Sequence, residues 1–473
     1  MDPIAVPLIL QRLYEPRYLL KPSQIIGPLP SARDAYGTTF RIAWPAVTET
    51  VLVSLVGIID TIMVGSLGSY AISAVGLTTQ PRLIVLAVFM ALNHGVTAVI
   101  SRRYGQRDRD GANRCLRQVM LLVTIAVVVI AGVGQPAARP LLRFAGAKSD
   151  TIDAAVTYFR ITLIGIPAVV LSMVINAAQR GTGNTRVAMR ANLIANVVNC
   201  CFNYLLIGGR LGFPALGVAG AAIATVIGNY VGLVIALFSL RHKDAFLYVR
   251  LRDSFLPDTA TLKSVFKVSG SATLEQVFLR TGFFIYAKIV AELGTDDFAT
   301  HQIGMNILSL AFCFGNGLTM AASALVGRSL GQKRPDLAVL YGKCAQRIGL
   351  CVAVVLASLF ISLARPIYML FTRDEYIITR GVPIIYMCAV VVAGQISQVV
   401  FSGCLRGAGD TLFIAVTSMI SIAIVRPIVS YVLCYPLGFG LYGAWVGIIL
   451  DQYMRLVLNG LRFAGGKWTK IVV

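Results

Sequence analysis

Apolar runs of about twenty residues recur along this chain, and no fold that leaves them all in water is open to it. They fall at about 40–64, 71–100, 116–136, 154–178, 187–208, 216–240, 264–291, 298–327, 345–364, 382–404, 412–434 and 440–462. Each is long enough to cross roughly 30 Å of hydrocarbon as a helix. Lipid cannot satisfy a bare backbone, and the alternation of a barrel strand is absent, so helices are what remain. Composition agrees. Charged residues make up 13% of the chain and hydrophobic ones 57%, against roughly 25% charged in a soluble chain. The expectation is an all-α integral membrane protein with twelve transmembrane helices.

The formal net charge of +21 invites a nucleic-acid partner, but the placement of the cations excludes that reading. With an even number of spans both ends lie on one side. Lys and Arg crowd the two ends and the loops 101–117, 180–190, 241–267 and 328–347 on that side. The opposite loops hold only Arg139, Arg143, Lys148, Arg210, Arg365, Arg373 and Arg380. By the positive-inside rule both termini are expected in the cytoplasm of a multi-pass protein of the cell (plasma or inner) membrane. Anionic membrane lipids are natural partners of such a surface. Residues 1–38 lack a continuous apolar core ending in small residues, so they read as a cytoplasmic arm and not as a cleaved signal. The nine cysteines, among them Cys200, Cys201, Cys313, Cys351 and Cys404, show no metal-ligand or redox spacing and read as small buried hydrophobes.

The chain repeats itself. "QRGTGNT" at 179–185 returns as "LRGAGDT" at 405–411, an offset of 405 − 179 = 226 residues. "GSLG" at 65–68 matches "AELG" at 291–294 and "RRYGQ" at 102–106 matches "RSLGQ" at 328–332 in the same register, and Glu49 falls on Glu275. "GVAGA" at 217–221 matches "GLYGA" at 440–444 after a small deletion. Each copy holds six helices, so the copies are parallel repeats related by a pseudo-two-fold axis along the membrane normal. The expected division is an arm (1–38), an N-lobe (39–240), a cytoplasmic linker (241–263), a C-lobe (264–462) and a cytoplasmic tail (463–473). A duplicated six-helix bundle is the architecture of an alternating-access transporter. One chain with both lobes is expected to work as a monomer.

These motifs also carry a resemblance. "IDTIMVGSLG", "QRGTGNTRVAMRANLIANVVNCCFNYLLI", "GVAGAAIAT" and "LRGAGDT" make the chain similar to the multidrug and toxic-compound extrusion (MATE) family over about residues 40–462. "LEQVFLRTGFF" and "THQI" look closer to its bacterial and archaeal branch allied to DNA-damage-inducible members than to its animal branch. The resemblance implies a secondary antiporter that exports organic, cationic or amphipathic compounds against inward H⁺ or Na⁺. It implies no cofactor and no enzymatic activity. Asp60 matches the first-helix Asp that the family uses in proton-linked conformational change, with Asn199 and Asn203 of the fifth helix beside it. Asn203 stands where many relatives carry Asp. Glu275 matches the seventh-helix carboxylate used for cation coupling in other branches, and Gln395 occupies the position of its usual acidic partner.

Ionisable groups in a bilayer cost at least roughly 2.5–3.5 kcal/mol each and mark candidate sites without any family. Glu49 joins Asp60 and Glu275 as a coupling candidate through the internal repeat. Asp451 and Arg455 are spaced i, i+4 and read as an intrahelical ion pair. Arg280 and Arg426 need partners among Glu275, Asp451 or cavity solvent, and the sequence leaves the choice open. Arg82 after Pro81, Asn93 in "LNHG", His301 and Gln302 in "THQI", and Gln395 complete, with those two arginines, the expected substrate cavity. No metal site is expected beyond Na⁺ at the coupling carboxylates. No phosphate loop or HExxH motif is present, and the three histidines are scattered, which argues against ATP hydrolysis or a resident enzyme. The rival reading is a lipid-linked saccharide flippase of the same superfamily, which the membrane arginines would suit but which usually carries two more helices.

Overall fold

A computed structural model describes residues 15–65, 67, 69–144, 151–241, 245–249, 259–371 and 375–471, with some positions of α1, α2, α7 and α8 described by backbone alone. Among the described residues twelve long helices follow one another. They are α1 (Ala32–Gly65), α2 (Ser69–Gly105), α3 (Arg109–Phe144), α4 (Ile152–Gly181), α5 (Thr185–Gly208) and α6 (Gly217–Phe238), then α7 (Thr259–Ala291), α8 (Thr295–Gly331), α9 (Pro335–Ser362), α10 (Glu375–Ala408), α11 (Thr411–Cys434) and α12 (Gly440–Ala464). Ten are long and apolar enough to cross a membrane. The other two, α7 and α12, carry charge in mid-run: Glu275 and Arg280 in the first, Asp451 and Arg455 in the second. A seven-residue π-helical stretch, Met419–Val425, widens α11 immediately before Arg426.

Local chemistry sets the helix ends. Ser31 accepts the Asp34 N–H (3.1 Å) and donates its hydroxyl to the Asp34 carboxylate (2.6 Å), which fixes the start of α1. Asp108 does the same for α3 by accepting the Gly111 N–H at 2.9 Å. The glycine turns close α4 and α10 in one way. Gly183 (φ 82°) and Gly409 (φ 87°) take the left-handed conformation, and the next residues, Asn184 and Asp410, each donate a backbone N–H five residues back at 2.9 Å. Only glycine enters that region without cost, so the motif spells a helix stop. Arg107 (φ 61°) and Lys333 (φ 56°) repeat the pattern without glycine in the turns "RRYGQR" and "RSLGQK". The backbone thus keeps the 226-residue register that the motifs show.

Two compact units divide the chain: Thr48–Lys267, and Val268–Val473 together with Met1–Val47. Both crossing points lie inside helices, one in α1 two residues after Pro45 and one in α7. In the first unit α4 packs against α2, α3 and α6; in the second its repeat partner α10 packs against α8, α9 and α12. The fourth helix of each set is therefore the central one, and its glycine turn ends a well-enclosed span. Close approach makes room for it. A Cβ on Gly181 would sit 3.1 Å from the Thr97 carbonyl, and one on the equivalent Gly407 would strike the Ser323 carbonyl, the repeat position of Thr97.

The described part of the arm is strapped onto α9. Leu19 and Leu20 are buried with Leu340 and Cys344, and Lys343 donates to the Leu19 carbonyl at 2.6 Å. Asp336 accepts the Ile26 N–H (3.2 Å) and two bonds from Arg334 (2.8 and 2.9 Å), while Arg334 also reaches the Pro28 carbonyl. Those bonds to Asp336 push the Arg334 guanidinium above its usual value. Between α6 and α7, Ala245 and Phe246 offer their carbonyls to Arg109, and the Tyr248 N–H donates to Asn113, so residues 245–249 lie against the start of α3.

The packing makes a graded expectation. Gly407→Ala forces two backbones apart and should destabilise the protein by about 1–3 kcal/mol. Gly270→Ala meets nothing within 4 Å and should be neutral or stabilising by up to about 1 kcal/mol. Thermal unfolding in detergent checks both. Equal midpoints for the two variants would contradict the close-approach argument.

Candidate functional site: a carboxylate–arginine pair in each half

The carboxylates singled out in the sequence find their partners in the glycine turns. Glu49 on α1 is buried, and its Oε1 accepts from Arg180 Nη1 at 3.2 Å and from Asn192 Nδ2 at 2.6 Å. Glu275 on α7 is buried too, and its Oε1 accepts from Arg406 Nη2 at 2.5 Å. Arg180 and Arg406 are the arginines of "QRGTGNT" and "LRGAGDT", so donors and acceptors alike stand 226 residues apart. In both pairs the second carboxylate oxygen, Oε2, is buried without a hydrogen-bond partner. A carboxylate half satisfied in this way keeps one oxygen able to take a proton or a cation.

A second charged group lies in α11 and α12. Asp451 accepts from Arg455 twice, Nε to Oδ1 and Nη2 to Oδ2, both at 3.1 Å. It also accepts from Arg426 Nη2. The i, i+4 pair expected from the sequence is therefore a triad, one carboxylate held by two guanidiniums. The Arg426 guanidinium also lies over the rings of Phe283 (4.9 Å) and Tyr286 (5.6 Å) of α7.

The model of the MatE family matches residues 45–205 and again residues 272–432. The chain belongs to the MATE family. The double match sets one copy of the family's unit on each half, as the repeated turns do. The chain is similar to the probable multidrug resistance protein NorM of Thermotoga maritima, 31% identical over 92% of this chain and 93% of that one. It is also similar to the multidrug resistance protein MdtK of Edwardsiella ictaluri, 27% identical over 89% and 93%. A multidrug resistance MATE family transporter of the MOP superfamily, solved facing outward, shares its fold with a TM-score of 0.85 at 23% identity, over 92% of this chain and 97% of that one. The protein is thus a multi-pass membrane transporter of the MATE class and not an enzyme.

The other sequence candidates of this MATE transporter divide. Asn203 donates to Asn199 (3.4 Å), which donates to Thr225 of α6 (3.3 Å), so the two asparagines are joined. The side chain of Asp60 lies outside the described residues. Of the expected substrate-cavity set, Arg426 and His301 come together through Tyr286, whose ring centroid is 5.5 Å from that of His301. Arg280 and Gln302 are exposed, and Arg82, half-buried, and Asn93, buried, lie in the unit Thr48–Lys267. Gln395 and Asn93 are buried, each with its carbonyl oxygen unpartnered. Among the described residues no three acidic, histidine or cysteine side chains gather to hold a metal.

Sequence reasoning missed Arg180, Arg406 and Asn192 as partners of the glutamates. The signal was present: an arginine at one register position of both glycine turns, paired with a glutamate at one register position of both first helices. Removing one member of a buried ion pair strands the other, which costs about 3–5 kcal/mol. Arg406→Met should lower unfolding stability by that order and Glu275→Gln by less. The double variant should lose less than the two together. Additive losses in this double-mutant cycle, read by thermal unfolding, would mean the pair is not coupled.

Proposed function

We propose that this chain is a cation-coupled antiporter that exports organic, amphipathic and typically cationic compounds by alternating access, with H⁺ as the coupling ion. The observation that carries the reading is the glutamate–arginine pair repeated in both halves at the end of each central helix. Protonating Glu275 removes the charge that holds Arg406, and protonating Glu49 does the same to Arg180. A released arginine in a low-dielectric interior must find another partner or water, so each pair has two arrangements that differ in helix packing. A ligand bound more tightly in one arrangement then feels the proton bound in the other, which is antiport. Asp60 takes part as the resemblance implies. H⁺ is favoured over Na⁺ because Gln395 cannot supply the second carboxylate that a sodium site at Glu275 would use. The family membership and the multidrug-resistance names of NorM and MdtK support the substrate class, and the charge of the loops supports cytoplasmic termini in the cell membrane.

Ethidium efflux from cells tests this, with wild type, Asp60→Asn and Glu275→Gln at matched expression. Efflux in the wild type should collapse on adding a protonophore, persist when Na⁺ is replaced by K⁺, and fall at least about ten-fold in each variant. Dye export that follows the Na⁺ gradient would replace H⁺ with Na⁺. Absence of export from all three proteins would remove organic-cation transport from the reading.

A further inference from the structure

The C-terminal unit contains a cluster of buried hydrogen-bond donors that the coupling scheme does not use. Arg426 Nε and Nη1, Tyr286 Oη, Trp445 Nε1 and His301 Nδ1 are all buried with no hydrogen-bond partner. Their side chains are at most 4% exposed. They are contiguous: the Arg426 guanidinium lies 5.6 Å from the Tyr286 ring, and the His301 ring centroid lies 5.5 Å from that of Tyr286 and 5.6 Å from that of Trp445. Four elements are built to bring them there. Gly282 lets α7 come so close to the Ile422 carbonyl in the π-helical stretch that a Cβ would collide with it, which sets Tyr286, one turn on, under Arg426. Gly304, one turn past His301 on α8, leaves room for the Trp445 ring of α12, which a Cβ there would meet at 2.7 Å. The Tyr368 hydroxyl, donating to the Thr300 carbonyl at 2.9 Å, fixes the α8 turn that carries His301.

The chemistry of the cluster is one-sided. Arginine and tryptophan donate only, tyrosine donates well, and histidine offers a donor as its Nδ1–H tautomer. The acceptor beside them, Asp451, is already held by two guanidiniums, so the triad has one cation more than it has anions. A cation would meet an excess of positive charge here and few lone pairs to hold it. A water molecule would have to donate as well as accept, and the acceptors on offer are the tyrosine oxygen and, in its other tautomer, His301 Nδ1. A ligand that only accepts matches the donors and the excess charge together. Buried donors without a protein acceptor call for a partner from outside the chain, and a π-helical stretch at such a place is a frequent mark of a binding site.

We propose that Arg426, Tyr286, His301 and Trp445 form a buried binding site in the C-terminal unit for a small monovalent anion, either chloride or the carboxylate group of an organic molecule. Its occupancy does not depend on which ion drives transport. The site ties α7, α8, α11 and α12 through one charge.

The test uses the full chain in detergent. Its thermal unfolding midpoint is followed as chloride, or separately acetate, replaces sulfate at constant ionic strength. Loss of sulfate alone lowers stability, so a saturable rise reports specific binding. Wild type should show such a rise, with chloride alone if the site is sized for a halide and with acetate as well if it takes carboxylates. Tyr286→Phe and Trp445→Phe, each lacking one donor, should need about ten-fold or more of the same anion for half of the effect. Their midpoints in sulfate check that each has folded. A wild type with no saturable response to either anion overturns the site, as do variants with wild-type half-saturation. Should both variants fail to fold, crystals of wild type grown in bromide decide: an anomalous peak in contact with Arg426 and Tyr286 supports the site, and its absence overturns it.

Discussion

A carboxylate among membrane helices stays ionised only if a cation is held beside it, and here the cation is held by a turn. The left-handed glycine that stops α4 and α10 fixes the last turn of each central helix. The arginine three residues before that glycine is thereby aimed at the glutamate of α1 or α7. Neither part works alone. A glutamate without its arginine would be a stranded charge, and an arginine without the glutamate would pull the helix end toward water. The glycine turn is thus more than a loop signature. It positions one member of an ion pair on which the first helix of each half depends.

The same rule explains which helices look least like membrane spans. The carboxylates that make α7 and α12 less apolar do not stand alone. Glu275 is met by Arg406, and Asp451 by Arg426 and Arg455. Each of these carboxylates is paired with arginine inside the protein, so its helix carries that carboxylate without exposing it to lipid. Close contact between backbones serves the same end. Where Gly282 meets α11 and Gly407 meets α8, a Cβ would collide with the backbone of the neighbouring helix.

Much of this was legible in the sequence. The helices followed from runs of apolar residues, whose cost in water is independent of context. The repeat followed from glycine turns, because left-handed backbone leaves a residue-type signature. Asp451–Arg455 was legible as a pair because a helix puts i and i+4 side by side. For Arg426 the sequence offers Asp451 only as one of several partners, since nothing in spacing says that residues 25 apart on two helices will meet. Arg180 and Arg406 were in plain view, yet they looked like part of a turn because a long-range partner leaves no local trace. Tyr286 and Trp445 carry no signal in the sequence, and His301 reads there only as one residue of an expected cavity. Their shared lack of acceptors exists only in three dimensions.

The two crossing points inside α1 and α7 separate two things that a duplicated chain invites one to equate, the repeat and the packed unit. The first part of α1 is grouped with the C-terminal unit and the first part of α7 with the N-terminal one. A cut in the stretch between α6 and α7 would therefore divide the chain into its two repeats, yet neither piece would hold a whole unit: one would lack the opening of α7, the other the residues before Thr48.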